Sequence, residues 1–266
     1  MRFSRVNAIV LRQYYLLRGS FSRFVPLFAW VTVDIILWGF ITTYLSKLSP
    51  GFNFVSTLLG AVLLWDFFTR VMHGITIAFL EDVWSRNFLN FFASPLSLSE
   101  YLLGLVITGI ATSFIGLVTM LLLASLVFGL SFFVYGALFV PFLLVLFSFG
   151  IALGILACAM VLRMGPSSEW FVWPIPMIVS PFVGVFYPLS TLPHWMQIMS
   201  HALPPSYMFE GMRTVVFGGA VSWHGLAIGV ALSVVYIILA CWVFSLVYRH
   251  AVKTGLIARY SAESVS

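Results

Sequence analysis

Long apolar runs follow one another along this chain, parted by short polar stretches. Six runs approach the roughly 20 residues needed to cross a hydrocarbon core, near 24–46, 55–79, 101–128, 135–162, 171–192 and 223–248. None alternates with period two, so each satisfies its backbone hydrogen bonds as a helix, not as a strand of a barrel. The pattern predicts an all-α integral membrane protein, 1–266, a single transmembrane domain with six transmembrane helices. The stretches between the runs have characters of their own. Residues 3–18 interleave Phe3, Val6, Val10 and Leu17 with Arg5 and Arg12, as an amphipathic helix on a membrane surface does, with Tyr14 and Tyr15 at headgroup level, so 1–23 reads as an interfacial helix. Residues 80–100 form an amphipathic linker. Trp84, Phe88, Phe91 and Phe92 fall on one face and Asp82, Arg86 and Asn90 on another. The fifth run is interrupted by Pro174, Pro176, Pro181 and Pro188, each removing a backbone donor. After it, Pro193, Pro204 and Pro205 divide 193–222 into helical pieces too short to span, which fits an outer re-entrant hairpin. A tail, 249–266, closes the chain.

Composition fixes the solvent. Apolar residues make up 62% and charged residues 8%, against about 25% charged in a soluble domain. The net charge of +5 does not point to nucleic acid, because the cations cluster at the borders of the runs. Arg2, Arg5, Arg12, Arg18, Arg23, Arg86, Arg163, Arg249, Lys253 and Arg259 fall on one side, and Lys47 and Arg213 on the other. The positive-inside rule places both termini in the cytoplasm, as an even number of spans requires. The first twenty residues carry four arginines and no apolar core between them, which does not read as a signal peptide; the first run is expected to insert the chain. Cys158 and Cys241 lie in separate runs without a CxxC, which excludes a disulfide framework or zinc ribbon.

Ionisable residues within the runs are the candidates for function. Asp34 lies in the first run. Asp66, Arg70 and His73 follow one another at i, i+4 and i+7 in the second, on one helical stripe. They form either an ion pair facing other helices or a polar lining of a translocation path or of a subunit seam. Glu210 and Arg213, at i and i+3, read either as a local salt bridge or as a polar element at an outer mouth. Gly150 with Gly154, and Gly225 with Gly229, form GxxxG patterns suited to close helix packing within the chain. The sequence has no GxxxxGK[ST], HExxH or GxSxG, and no third ligand accompanies His194 and His201. No catalytic residue and no metal site is expected; the chain reads as a conduit.

Two phrases carry a resemblance. SPLSLSEYLLG (94–104) ends the first linker, and LPPSYMFEGMR (203–213) precedes the last run. With six spans and a basic N-terminal surface helix, they resemble the membrane subunits of bacterial type-2 ATP-binding-cassette exporters, a family that moves polysaccharides, lipo-oligosaccharides and drugs. The resemblance implies a permease in the bacterial cytoplasmic (inner) membrane. It would pair with a second copy of itself and with two copies of an ATPase subunit, and the substrate path would run between the two membrane subunits. It also implies a cytoplasmic coupling helix over 81–95, with Glu81, Asp82, Arg86, Asn87, Ser94 and Pro95 touching the ATPase, and re-entrant helices over 190–213. ATP and Mg would be bound by the partner, with no cofactor in this chain, and the cargo would be lipid-linked, glycan-type or amphipathic and drug-like. The competing expectation is a stand-alone secondary transporter or channel. Such proteins often carry matching broken helices in two halves, and the proline-broken run has no counterpart in the first half.

Overall fold

The computed structural model describes residues 2–48, 54–85, 87, 90–91, 94–165, 168–220 and 222–256. Among them every regular element is helical: α1 (Phe3–Arg18), α2 (Phe21–Phe24), α3 (Pro26–Leu48), α4 (Gly60–Trp84), α5 (Leu98–Phe128), α6 (Phe139–Met164), α7 (Glu169–Val172), α8 (Ile175–Val183), α9 (His194–His201), α10 (Pro204–Val216) and α11 (Trp223–Thr254). A π-helical turn, Val55–Leu59, leads into α4, and a 3-10 turn, Phe132–Leu138, leads into α6. Five stretches are long and apolar enough to cross a membrane: Phe21–Leu48, Val55–Trp84, Leu98–Phe128, Phe132–Met164 and Trp223–Thr254.

α4 is the axis of the bundle. It carries Asp66, Arg70 and His73, which lipid solvates poorly, and its Phe68, Val71, Met72, Ile75 and Phe79 are fully buried, with α5 and α6 packed against them. Gly150 sets the α4–α6 distance: a Cβ there would lie 3.0 Å from Val71 Cβ and 3.1 Å from the Phe68 carbonyl oxygen. The first GxxxG is thus a seam inside the chain. The second faces α10, since a Cβ on Gly229 would lie 2.7 Å from Met208 Cε. α3 lies on α5, and α11 lies on α6. The outward faces stay apolar, with Trp30 and Phe40 on α3, Phe114 and Leu122 on α5, and Val235 and Ile238 on α11 all exposed. Water is a poor solvent for such a belt, and lipid is a good one.

The fifth apolar run departs from expectation. A single helix was predicted over 171–192, but helix stops at Val183, and Trp173 and Pro174 already separate α7 from α8. Glu169–Val183 rises only about 22 Å against about 30 Å of hydrocarbon, so among the described residues five helices, not six, have spanning length. The reason is local. Pro181 lies within α8 without a donor, and Gly184 ends the helix in the left-handed region at φ +65°. Within 193–222, where an outer re-entrant hairpin was expected, lie two short helices, α9 and α10, with Pro204 and Pro205 opening the second.

Gly150→Leu forces the larger side chain into Val71 and the Phe68 carbonyl. It is expected to destabilise the bundle by about 1–3 kcal/mol, read as a lower Tm of the detergent-solubilised chain. Leu122→Ala, on the lipid-facing side of α5, is expected to leave Tm nearly unchanged.

Candidate functional site

Three groups of polar residues interrupt the apolar bundle. The first lies at the end where α1 meets the start of α5 and the 85–97 linker. Val6, Ile9 and Gln13 turn inward, and Ile9 sits over Gly104, where a Cβ would come within 2.7 Å of it. The adjoining edge of α1 presents two arginines to two carboxylates, and α2 presents a third arginine to a third. Arg12 Nη2 donates to Asp82 Oδ1 at 2.5 Å, Arg5 Nη1 lies 3.4 Å from Glu100 Oε2, and Arg23, on α2, lies 3.3 Å from Glu81. The three contacts differ in weight. Arg23–Glu81 is partly exposed on both sides and contributes at most about 1 kcal/mol. Asp82 is 0% exposed, and a buried carboxylate without its partner costs several kcal/mol. Arg12 and the Tyr101 hydroxyl, which donates to Oδ2 at 2.7 Å, hold that charge.

Glu100 is shaped by helix capping. It is the N3 residue of α5, its backbone N–H donates to Ser97 Oγ at 3.3 Å, and its Oε2 accepts the Ser97 N–H at 2.9 Å. The Arg2 N–H adds a bond of 2.7 Å to Oε1. One carboxylate therefore starts α5 and anchors the first turn of α1.

The linker residues are distributed differently from the sequence pattern. α4 continues through Trp84, so 81–84 keep the phase of α4. Asp82, expected on the outward polar face, is buried against Arg12 and Tyr101, while Trp84, expected on the anchoring face, is half exposed. Past a turn at Ser85, the Phe91 N–H donates to the Asn87 carbonyl at 3.1 Å, and the Phe91 ring lies 5.5 Å from Tyr101 and 4.9 Å below the Arg12 guanidinium. Ser94 and Pro95 form an exposed turn, and Asn87 and Glu81 are half-buried. Arg86, Phe88 and Phe92 lie outside the described residues.

The second group is the intramembrane stripe. Arg70 Nε donates to Asp66 Oδ2 at 2.9 Å along α4. His73 continues the stripe, with its ring 4.6 Å from Trp173. Asp34, on α3, lies within electrostatic reach of both.

The third group completes the broken fifth run. A helix that stops inside a protein leaves carbonyls without partners. Here side chains take them: the Tyr187 hydroxyl donates to the Pro181 carbonyl at 2.9 Å, Ser200 Oγ to that of Phe182, and Arg213 Nη2 to those of Gly184 and Val185. Glu210 Oε1 accepts from Arg213 Nη1 at 2.9 Å and from the Leu189 N–H at 2.7 Å. Burial pushes the Arg213 guanidinium down from its ordinary value, and Glu210 opposes that shift. The pair is thus a clamp between α10 and the end of α8. Beside it a cavity of 320 Å³ opens between α10 and the start of α11, with His201, Tyr207, Glu210 and His224 on its walls. Among the described residues no three His, Cys, Asp or Glu are placed to hold a metal ion.

A family model described as ABC-2 type transporter matches residues 15–217, which take in all three groups apart from the first turns of α1. The chain belongs to the ABC-2 type transporter family. It is therefore a type-2 ABC permease subunit, a multi-pass membrane protein that works with an ATP-binding subunit and is not itself the ATPase. No curated protein matches the chain significantly. Within the permease, the sequence placed Arg5 and Arg12 only on the basic face of the surface helix and Glu100 and Tyr101 only within the 94–104 phrase, and paired none of them with its partner. The signal for Glu100 was present, since Ser97-x-x-Glu100 directly before an apolar run is a capping box.

Arg12→Gln leaves Asp82 buried with Tyr101 as its remaining side-chain partner. Because Tyr101 stays and Arg12 is itself partly exposed, the loss is expected to be that of a charge-assisted hydrogen bond, about 1.5–3 kcal/mol, and α1 is expected to be released to limited proteolysis. Adding Asp82→Asn should recover part of that loss, a coupling a double-mutant cycle reads directly. Asp66→Leu, which leaves Arg70 unpaired, is expected to lower Tm or subunit assembly, measured by size exclusion with the ATP-binding subunit.

Proposed function

We propose that this permease is an exporter subunit that works as a homodimer, with the substrate path between the two copies and two ATPase subunits docked on the 81–97 linker. ATP and Mg sit on those subunits, and this chain supplies no cofactor. In this reading the end carrying α1 is cytoplasmic, as the cluster of arginines there supports. Both termini lie on that side, in a bacterial inner membrane. α7 and α8, with the bend after Gly184, make a sixth, bent pass, and α9 and α10 dip into the opposite face. α1 lies at the membrane surface, its exposed Tyr14 and Tyr15 at the headgroups. The cargo is lipid-linked, glycan-type or amphipathic and drug-like.

One observation carries the proposal: the family match together with a linker whose Ser94–Pro95 turn is exposed while its neighbours are locked. Asp82, Tyr101 and Phe91 bind the linker's two ends to α1, α4 and α5. A push on the exposed turn therefore reaches two spans and the surface helix together. Glu81, Arg86, Asn87, Ser94 and Pro95 are the proposed contacts to the ATPase; Asp82 positions them from within.

The test uses the chain reconstituted with its ATP-binding subunit in proteoliposomes. Arg86→Ala and the Ser94→Asp/Pro95→Ala pair are expected to keep Tm and to cut substrate-coupled ATP hydrolysis and transport by roughly tenfold. Unchanged transport in both variants would refute docking at the linker.

A further inference from the structure

The cavity between α10 and the start of α11 has no part in the coupling proposed above, yet its walls carry polar groups that the fold does not use. On the α10 wall, Glu210 gives only Oε1 to the clamp, accepting from Arg213 and from the Leu189 N–H. Oε2 is engaged by no described residue, and the Glu210 side chain is 38% exposed. His201, at the end of α9, and His224, in the first turn of α11, stand on the other walls. The Tyr207 hydroxyl donates to the His201 carbonyl at 2.9 Å and so fixes His201 against α10. Among the described residues no Lys or Arg lines the cavity.

These groups narrow the ligand. A carboxylate oxygen only accepts, so Oε2 calls for a donor, best a cationic one. An imidazole offers an N–H to an anion. Among the described residues no three groups are placed to hold a metal ion. A zwitterion with an ammonium beside a phosphate answers both walls. The volume of 320 Å³ lies at the low end of the roughly 300–1,000 Å³ of small-molecule sites, which suits a headgroup. The position in the membrane agrees. Ala251, near the end of α11, shares an apolar cluster with Ile9 and Tyr101, so the start of α11 lies at the end of the bundle away from α1. There Phe217 follows α10 and Trp223 opens α11, both exposed. Aromatic residues at that level sit where headgroups meet acyl chains.

We propose that this cavity seats the headgroup of a phospholipid carrying a primary amine, phosphatidylethanolamine, as a resident lipid. Its ammonium donates to Glu210 Oε2, His201 and His224 hold its phosphate, and its acyl chains lie along Trp223 and Phe217. The lipid stays with the permease and is distinct from the molecule the permease moves, so the proposal stands apart from the export reading.

The test uses the full chain purified with its ATP-binding subunit. Bound lipid is read by native mass spectrometry during titration with dioleoylphosphatidylethanolamine, dioleoylphosphatidylcholine or dioleoylphosphatidylglycerol. The ethanolamine lipid is expected to bind at least about tenfold more tightly than the choline lipid, whose nitrogen has no N–H to donate, and than the glycerol lipid, which has no cation. Glu210→Gln should erase that preference, and His224→Ala should weaken ethanolamine-lipid binding several-fold. Because Glu210 also holds Arg213, a second variant decides the matter: Ala220→Trp fills the cavity from its exposed rim and leaves the clamp in place. It is expected to keep Tm and to lose the preference. Equal binding of the ethanolamine and choline lipids by the wild-type complex overturns the proposal, as does a folded Ala220→Trp complex that keeps the preference. Soluble phosphoethanolamine is expected to leave the bound lipid in place. Displacement by it would assign the cavity to a soluble phosphate ester and overturn the lipid.

Discussion

Polar groups in this chain have to find their partners within the chain, because the surroundings offer almost none. That constraint explains both ends of the bundle. Where α8 stops short, its carbonyls are taken one by one by Tyr187, Ser200 and Arg213. Where α4 ends, the buried Asp82 is met by Arg12 and Tyr101. Neither arrangement is a surface ornament. Each is what allows a non-helical break or a carboxylate to exist in a segment otherwise made of Phe, Leu and Val.

The same contacts make the chain mechanically connected. α4 packs on α5 and α6 through closely approaching glycines, and small residues at such seams leave little room for sliding. α1 is tied to the foot of α5 through Glu100 and to the foot of α4 through Asp82. A force applied between those two feet cannot be absorbed by the linker alone, since Phe91 is wedged against Tyr101 beneath Arg12. In the proposed assembly the partner ATPase pushes on that point, and the tight junction, more than the helicity of the linker, carries the motion inward.

The sequence made the architecture legible because the apolar runs are long and because lipid leaves the backbone few choices. Five runs became helices close to their expected bounds, and the GxxxG at Gly150 and Gly154 proved to be an internal seam. The misread parts share one cause: local periodicity does not say where a helix ends. Glu81 to Trp84 looked like the first turn of a separate amphipathic helix, but they prolong α4, so Asp82 faces the interior and Trp84 does not. Likewise the run 171–192 had the length of a span, yet Pro181 and Gly184 stopped it early. Pairings distant in sequence, such as Arg12 with Asp82, leave no periodic trace at all; only the capping box at Ser97 marked its neighbourhood.

The two interior features that remain polar are not equivalent. Glu210 and Arg213 are committed to backbone groups of the broken run and hold α10 against α8. Asp66 and Arg70 neutralise each other along one helix and need nothing further. Asp34 is the residue left over. It stands on α3, which with α11 is one of the two spans least covered by the rest of the chain, beside a Trp38–Phe186 stack that reaches to the broken run.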